Sequence, residues 1–229
     1  TSSKDPYALR RLAIGLVKMI LENNKKIKLK DLINYSIQLY NDQNLKFDSK
    51  NILDNLLEFL KDRFVNYMKE KDIRQDIIES SINAYNIDDI LKIYRKATIL
   101  NNLISKEIGS DVIFIYKRAS NILFDEINKN NLEITDTVDP GLFKNDFEKK
   151  LYKKIHDIKK EFSSISKEND YKSLLISLAS AKQEVSDFFE NVKVNDNDNN
   201  IKKNRLELLQ MLCKTFDNYC NFSKIESLE

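Results

Sequence analysis

Residues that could support catalysis are few in this sequence, and the first to consider is the only histidine among its 229 residues. His156 stands next to Asp157, an arrangement typical of metal-dependent phosphohydrolases of the His-Asp type. Such a site needs further histidine and carboxylate ligands from other helices, and the chain has no second histidine. We therefore expect His156 to be an ordinary surface or boundary residue, and we expect no metal site.

The cysteines and glycines also argue against catalysis. Cys213 and Cys220 lie on one predicted helix, where seven residues of rise separate their Cα atoms by ~10 Å, too far for a disulfide. Neither has a neighbouring base in the sequence, so both are expected to be small buried groups in a reducing compartment. Gly15, Gly109 and Gly141 lie too far apart to form a phosphate-binding loop. The sequence predicts a chain that performs no chemistry by itself.

Features that could bind a ligand are clearer. Lys117 and Arg118 interrupt an otherwise apolar helical segment, and Asn121 follows Lys117 by one helical turn on the same face. Arginine and asparagine read base edges by paired hydrogen bonds, whereas lysine neutralises phosphate. The alternative interpretation is that these residues form the solvated side of a helix.

A second basic cluster lies at the start of the last predicted helix and consists of Lys202, Lys203, Asn204 and Arg205. The free N–H groups and the dipole of a helix start would add to its attraction for phosphate. The net charge is only +2, from 38 cationic and 36 anionic residues. Any nucleic-acid surface must therefore be confined to short clusters of this kind.

The elements that must position these residues are helices. A chain with three glycines and two prolines lacks the turn residues that a β-sandwich or barrel needs. The spacing of the apolar residues predicts an all-α fold of about nine amphipathic helices in one or two packed bundles. After the first helix, the predicted helices cover about residues 29–43, 48–71, 73–84, 87–107, 110–127, 140–162, 169–190 and 199–220. We expect a helical linking segment over 1–86 and a second helical domain over 87–229.

Two Asp-Pro pairs, Asp5-Pro6 and Asp139-Pro140, are typical of helix starts. The carboxylate caps free N–H groups, and proline at the first helical position needs no hydrogen-bond acceptor. The first of these helices carries an apolar stripe that we expect to be buried as a whole. Its members are Leu9, Leu12, Ala13, Leu16, Val17 and Ile20.

The sequence also shows no pattern typical of a membrane span or a signal peptide. No uninterrupted apolar run is long enough to span a membrane, and the first residues lack the shape of a signal peptide, so we expect a cytoplasmic protein without a membrane partner. The chain begins at Thr1 rather than Met and ends in Leu228-Glu229, a common cloning remnant. We expect a piece of a longer protein whose last two residues derive from a vector.

Six short strings stand in the order in which one known family has them. The first is Asp5-Pro-Tyr-Ala-Leu-Arg-Arg11, where the family has phenylalanine in place of tyrosine. The others are Tyr116-Lys-Arg-Ala-Ser-Asn-Ile122, Val138-Asp-Pro-Gly-Leu-Phe143, Phe188-Phe-Glu-Asn-Val-Lys-Val194, Asn204-Arg-Leu-Glu-Leu-Leu209 and Asn221-Phe-Ser-Lys224. By these strings, nearly the whole chain resembles the C-terminal region of the β-subunit of bacterial glycyl-tRNA synthetases.

The resemblance implies a linking helical segment followed by the helical anticodon-binding domain that arginyl- and cysteinyl-tRNA synthetases share. For the whole enzyme it implies an ATP-dependent glycine–tRNA ligase of α2β2 assembly. Glycine, ATP and Mg would be bound by the α-subunit, and this chain would hold no cofactor. The expected partners are tRNA(Gly) and the α-subunit.

Two hypotheses follow for the function. In the first, the chain recognises the anticodon of tRNA(Gly), whose unpaired bases are read on their edges while cations hold the backbone. The expected RNA-facing residues are Lys117, Arg118, Asn121, Lys202, Asn204 and Arg205, with Arg10 and Arg11 less favoured. In the second, the chain is a helical scaffold that docks the α-subunit without contacting RNA. That hypothesis predicts a second apolar stripe left exposed on the first bundle, with the helix at 48–71 as its favoured place.

Overall fold

A computed structural model of the chain describes residues 5, 7–41, 43, 48–130, 134–135, 137–168 and 170–226. These residues form ten α-helices and three short 3-10 helices without any strand, which confirms the predicted all-α fold. Pro6 and the pair Leu228-Glu229, for which the sequence suggests a helix start and a vector origin, lie outside the described residues. The chain divides into two compact units, residues 1–98 and residues 99–229.

The first unit is organised around its third helix. Its helices are α1 (Leu9–Glu22), α2 (Leu29–Asn41), α3 (Ser49–Glu70) and α4 (Gln75–Tyr85), followed by a 3-10 helix (Ile87–Asp89) and the first part of α5 (Ile90–Leu103). α3 packs against α1, α2 and α4. Phe64 and Met68 of α3 and Ile20 of α1 are completely buried. These apolar side chains form the core of the unit.

The first helix begins later, and is more exposed, than its sequence predicts. α1 starts at Leu9, and the Asp5 carboxylate accepts a hydrogen bond from the Arg10 N–H at 3.2 Å, so Asp5 still caps the helix start. Leu9 and Leu12 are 55% and 65% exposed. The prediction that the whole stripe is buried is therefore wrong. Its first members line an open groove instead of entering the core.

The division into compact units falls inside α5, and the predicted domain boundary at 86/87 stays a prediction. The 3-10 helix after the predicted boundary at 86/87 is held by the first unit, because Asp88 Oδ1 accepts a hydrogen bond from the backbone N–H of Lys30 at 2.9 Å. Asp88 thereby satisfies an N–H group in the first turn of α2. The residues that follow 86 are thus attached to the helices that precede them, and compactness places the division between 98 and 99.

The second unit is organised around its last helix. Its helices are α6 (Glu107–Asn130), α7 (Asp146–Glu168), α8 (Tyr171–Ala179), α9 (Lys182–Asn191) and α10 (Asn199–Asp217), with 3-10 helices at Pro140–Leu142 and Phe222–Lys224. α10 packs against α6 and α7, and α7 also packs against α8 and α9. Leu206, Leu209 and Phe216 of α10 are completely buried. Cys213 and Cys220 are buried free thiols, as the sequence predicts.

The predicted helix at 169–190 is two helices in the structure. α8 ends at Ala179 and α9 begins at Lys182, with the N–H of Ala181 bonded to the carbonyl of Leu178 at 3.2 Å in the turn between them. Neither glycine nor proline marks this break. The sequence therefore carries no stop signal, and the prediction of one helix is wrong.

The second Asp-Pro pair opens a short turn rather than a long helix. Asp139 accepts a hydrogen bond from the N–H of Gly141 at 2.8 Å, and the 3-10 helix it caps ends at Leu142. α7 starts at Asp146, with the Asn145 side chain accepting hydrogen bonds from two N–H groups at 3.0 and 3.1 Å. The expected helix start is displaced by a few residues, because Asn145 supplies a second cap.

Candidate nucleic-acid interface

The first predicted basic cluster lies on the exposed side of α6. The opposite side of this helix is buried through Val112, Ile115, Tyr116 and Ala119. Asn121 is exposed, and Lys117 and Arg118 are half-buried. Because 3.6 residues make a turn, these three side chains lie on one side of the helix, away from the core. The structure thus brings together the residues that the sequence grouped.

The Arg118 guanidinium is held by aromatic rings and not by carboxylates. Its Cζ lies 4.7 Å from the ring centroid of Phe189 in α9 and 5.7 Å from that of Phe114, one turn earlier in α6. Phe189 is itself fixed edge-to-face against the fully buried Phe188, with ring centroids 5.3 Å apart. Within the described part of the chain, no hydrogen bond or ion pair engages the guanidinium. Its position is set by ring contacts while its donors stay available.

The second predicted cluster has a different environment, as Arg205 shows. Arg205 is 5% exposed. Its Nε donates to Glu148 Oε1 at 2.7 Å, and its Nη1 donates to Asp196 Oδ2 at 2.7 Å and to the carbonyl of Lys193 at 2.9 Å. The other carboxylate oxygen of the fully buried Glu148 accepts two backbone N–H groups at the start of α7. Arg205 therefore links α10, α7 and the segment between α9 and α10.

Its neighbours Asn204 and Lys202 are also engaged inside the unit. The Asn204 side chain accepts a hydrogen bond from the N–H of Asp139 at 2.7 Å and donates one to its carbonyl at 2.9 Å. Lys202 Nζ lies 2.7 Å from a carboxylate oxygen of Glu126, and both side chains are mostly buried. These contacts fasten the segment before α7, and the end of α6, to α10.

Contact of Lys202, Asn204 and Arg205 with RNA stays a prediction, and the arrangement disfavours it because their polar atoms are already bonded within the chain. The sequence contains a signal for this burial. Arg205 lies four residues after Ile201 and four before Leu209, which are both buried. A charged residue placed between core residues at i−4 and i+4 faces the core. The partners, by contrast, are distant in sequence and carry no local signal.

The remaining predicted residues belong to the first unit. Arg10 and Arg11 are both exposed near the start of α1. The Nε of Arg11 lies 3.7 Å from a carboxylate oxygen of Asp5, while the Arg11 side chain is 77% exposed. A contact of this kind at the surface is weak, so both arginines are accessible cations.

The structure also places the residues that were considered for catalysis. The described residues contain no group of three or more histidine, cysteine, aspartate or glutamate side chains that could hold a metal. His156 packs edge-on against Tyr152, with ring centroids 4.4 Å apart. Burial raises the pKa of the Cys213 thiol to about 12, so this sulfur stays protonated and unreactive. Across the same residues, no helix has the length and apolar character that crossing a membrane requires.

An apolar groove opens in the first unit between α1, α2 and α3. Its volume is about 510 Å³, and among the described residues that line it only Ser36 and Tyr40 carry a polar side-chain group. Leu12 of α1, Tyr40 of α2 and Leu56 of α3 line it and are 65%, 53% and 40% exposed. The scaffold hypothesis favours a second exposed apolar stripe on α3, whereas this exposed surface is a groove to which three helices contribute. Docking of the α-subunit stays a prediction.

Comparison with known families assigns both parts of the chain. Residues 1–83 match the family model described as glycyl-tRNA synthetase beta subunit. Residues 112–229 match the DALR anticodon binding domain, and this range includes all of α6 except its first turn and all of α10. The Lys117 and Arg205 clusters both lie within the second match.

Curated relatives agree with these matches. The chain is 36% identical over 225 residues to the glycine--tRNA ligase beta subunit of Rickettsia africae (strain ESF-5), an alignment that covers 98% of this chain and 32% of the relative. It is 30% identical to the corresponding subunit of Clostridioides difficile (strain 630) over 225 residues, covering 98% of this chain and 31% of the relative. The chain thus spans about a third of the length of these relatives. It belongs to the family of glycyl-tRNA synthetase beta subunits, and its second unit carries a DALR anticodon binding domain.

Proposed function

We propose that the second unit binds the anticodon loop of tRNA(Gly) through the exposed side of α6. The chain would thereby support glycine attachment by a cytoplasmic α2β2 glycine–tRNA ligase. Recognition is its contribution, while glycine, ATP and Mg belong in this proposal to the α-subunit. The match to an anticodon binding domain and the names of the related proteins support this proposal.

The observation that carries the proposal is the contrast between two arginines of the same unit. Arg205 is bonded to Glu148, Asp196 and a backbone carbonyl. Arg118 is held in place by Phe114 and Phe189 and keeps its donors available. A preplaced guanidinium can donate two hydrogen bonds to a guanine edge or a phosphate without first breaking an internal ion pair.

The test measures binding of tRNA(Gly) to the 229-residue chain by filter retention at several salt concentrations. Arg118→Ala should weaken binding by about 1–3 kcal/mol, the range for a lost bidentate arginine contact. Arg63→Ala is the matched control, because Arg63 is a half-buried arginine of the first unit that stacks on Phe59 at 4.6 Å. Equal affinities for wild type, Arg118→Ala and Arg63→Ala would contradict the proposal.

A second candidate function is docking of the α-subunit, and the groove of the first unit favours it. A subunit named beta implies a partner subunit, and an open apolar groove of about 510 Å³ is rarely left uncovered in a functional assembly. The groove lies within the residues that match the beta subunit family. In this proposal an apolar helix of the α-subunit fills it, without any contact to RNA.

Substitution of one groove residue separates this candidate from the first. Leu12→Lys puts a charge into the groove and should abolish α-subunit binding in a pull-down while leaving tRNA binding unchanged. Met19→Lys is the control, since Met19 lies on the same helix, is 58% exposed and does not line the groove. Undiminished α-subunit binding by Leu12→Lys would rule out this docking site.

A further inference from the structure

Two exposed phenylalanines share the side of α6 that carries the basic cluster. Phe114 is 44% exposed and Phe124 is 68% exposed. Among the described residues of the second unit, the only other exposed large apolar side chain is Ile176. Along α6, Phe114, Lys117, Arg118, Asn121 and Phe124 follow the i, i+3, i+4, i+7, i+10 spacing of one helical face. The exposed aromatic side chains described in this unit are therefore concentrated beside Lys117 and Arg118.

The dimensions of this face suit a short single strand. Ten residues separate the two phenylalanines, which at 1.5 Å of rise per residue is ~15 Å along the helix. A stacked nucleic-acid strand advances about 3.4 Å per nucleotide, so the face spans about four nucleotides. Arg118 and Lys117 lie between the rings, where they can reach the phosphates of the same strand.

The charges along the face differ between its two ends. Near Phe114 stand Lys117 and Arg118, whose charge attracts phosphate. Next to Phe124 stands the exposed Asp125, whose carboxylate repels phosphate. An exposed ring beside a carboxylate is suited to the flat face of a base and not to the backbone. This distribution of charge favours binding of a strand whose bases turn toward the helix over simple binding of phosphates.

From this arrangement we propose that Phe114 and Phe124 are stacking platforms for unpaired bases of the anticodon loop, on either side of the contacts made by Arg118 and Lys117. The inference rests on the proposed function and deepens it. Every base has an aromatic face, so these rings add affinity and splay the loop, while Asn121 and Arg118 lie between them to read base edges.

Tryptophan reports such stacking directly, because the chain contains no tryptophan of its own. Phe124→Trp introduces a single indole whose fluorescence should be quenched when tRNA(Gly) binds and a base stacks on it. Ile176→Trp, at an exposed apolar position of α8, is the matched control and should keep its fluorescence. If tRNA binds but the fluorescence of neither variant is quenched, the stacking role is overturned and the proposed function stays intact.

Affinity provides the second arm of the experiment. Phe124→Leu keeps an apolar side chain but removes the ring, and it should weaken tRNA(Gly) binding about tenfold at every salt concentration. Lys117→Ala should instead lower the slope of log affinity against log salt by about one. The inference would be contradicted if Phe124→Leu bound tRNA(Gly) with wild-type affinity. It would also be contradicted if this variant lost binding to the α-subunit instead of binding to tRNA(Gly). Failure of the unsubstituted chain to bind tRNA would overturn the proposed function and the inference together.

Discussion

Arg118 and Arg205 show at the scale of single residues how identical side chains take different roles. Both lie in the unit that matches the anticodon binding domain. The environment decides the role: aromatic rings orient Arg118 without using its hydrogen-bond donors, whereas two carboxylates and a carbonyl use those of Arg205. We therefore propose recognition of RNA for Arg118 and support of the fold for Arg205.

Removal of Arg205 should destabilise the protein rather than alter a surface. Arg205→Ala leaves the fully buried Glu148 without its cation, and breaking a buried pair in this way costs about 3–5 kcal/mol. Urea unfolding followed by circular dichroism measures the loss. Lys203→Ala is the control, because Lys203 is 40% exposed and its 4.0 Å contact to Glu207 should contribute only about 0–1 kcal/mol. An Arg205→Ala protein of wild-type stability would show that Arg205 has no structural role.

Asp217 should make stability depend on pH. Burial raises the pKa of its carboxyl above the ordinary value of 3.8, although hydrogen bonds from Tyr116 and Phe222 act in the opposite direction. A raised pKa in the folded state means that stability is highest below 3.8 and falls as the pH rises through the folded-state pKa. Asp217→Asn cannot ionise and still offers Tyr116 an acceptor. The stability of this variant relative to wild type should increase as the pH is raised from 4 to 7. Thermal melts across that range measure the difference in melting temperature, and a difference that stays constant would refute the prediction.

At the scale of elements, the turn that joins α5 to α6 depends on a single glycine. A Cβ at Gly109 would lie far inside van der Waals contact with the carbonyl oxygen of Leu103 and the Cα of Ile104. The start of α6, and with it the direction of the face that carries Lys117 and Arg118, is thus set by a backbone approach that only glycine permits. Gly15, within α1, has nothing within 4 Å of the corresponding position.

These two glycines should respond in opposite directions to the same substitution. Gly109→Ala should destabilise the protein by about 1–3 kcal/mol, since backbone atoms must move to accept the methyl group. Gly15→Ala should stabilise it by about 0.5–1 kcal/mol, because alanine loses less entropy in a helix. The denaturant midpoints of the two variants measure these effects. A shift of both midpoints in the same direction would contradict the close packing at the α5–α6 turn.

The elements also show what could be predicted from the sequence. The all-α fold, the burial of Cys213 and the common face of Lys117 and Arg118 all depend on local period and composition, which the sequence displays. Burial of Arg205 depends on Glu148, which is 57 positions away. The position of Arg118 likewise depends on a residue from another helix, because its guanidinium packs on the ring of Phe189. Long-range pairs of this kind leave no local pattern, and the break at Ala181 has no turn residue to mark it.

At the scale of the whole molecule, the two units divide the candidate surfaces between them. The first unit holds the groove, together with Arg10 and Arg11, and the second holds the face of α6. A net charge of +2 allows only local attraction for RNA. We therefore expect RNA affinity to come from the second unit and to be insensitive to exposed cations of the first.

Neutralising both arginines of α1 tests this division. The chain with Arg10→Ala and Arg11→Ala should bind tRNA(Gly) with wild-type affinity and with an unchanged salt dependence. If each arginine instead contacted a phosphate, the slope of log affinity against log salt would fall by about 0.9 for each. Salt-dependent filter binding distinguishes the two results, and a reduced slope would show that the first unit contributes to the RNA surface.

Discrimination between two tRNAs tests most directly the claim that the face of α6 reads the anticodon. The measured quantity is the ratio of the dissociation constants for tRNA(Gly) with a replaced anticodon and for native tRNA(Gly). We expect this ratio to be well above one for wild type and for Arg63→Ala. For Arg118→Ala, the discrimination free energy given by RT times the logarithm of this ratio should fall by about 1–3 kcal/mol as the specific contact is lost. An Arg118→Ala protein that discriminates the two tRNAs as strongly as wild type would contradict the claim.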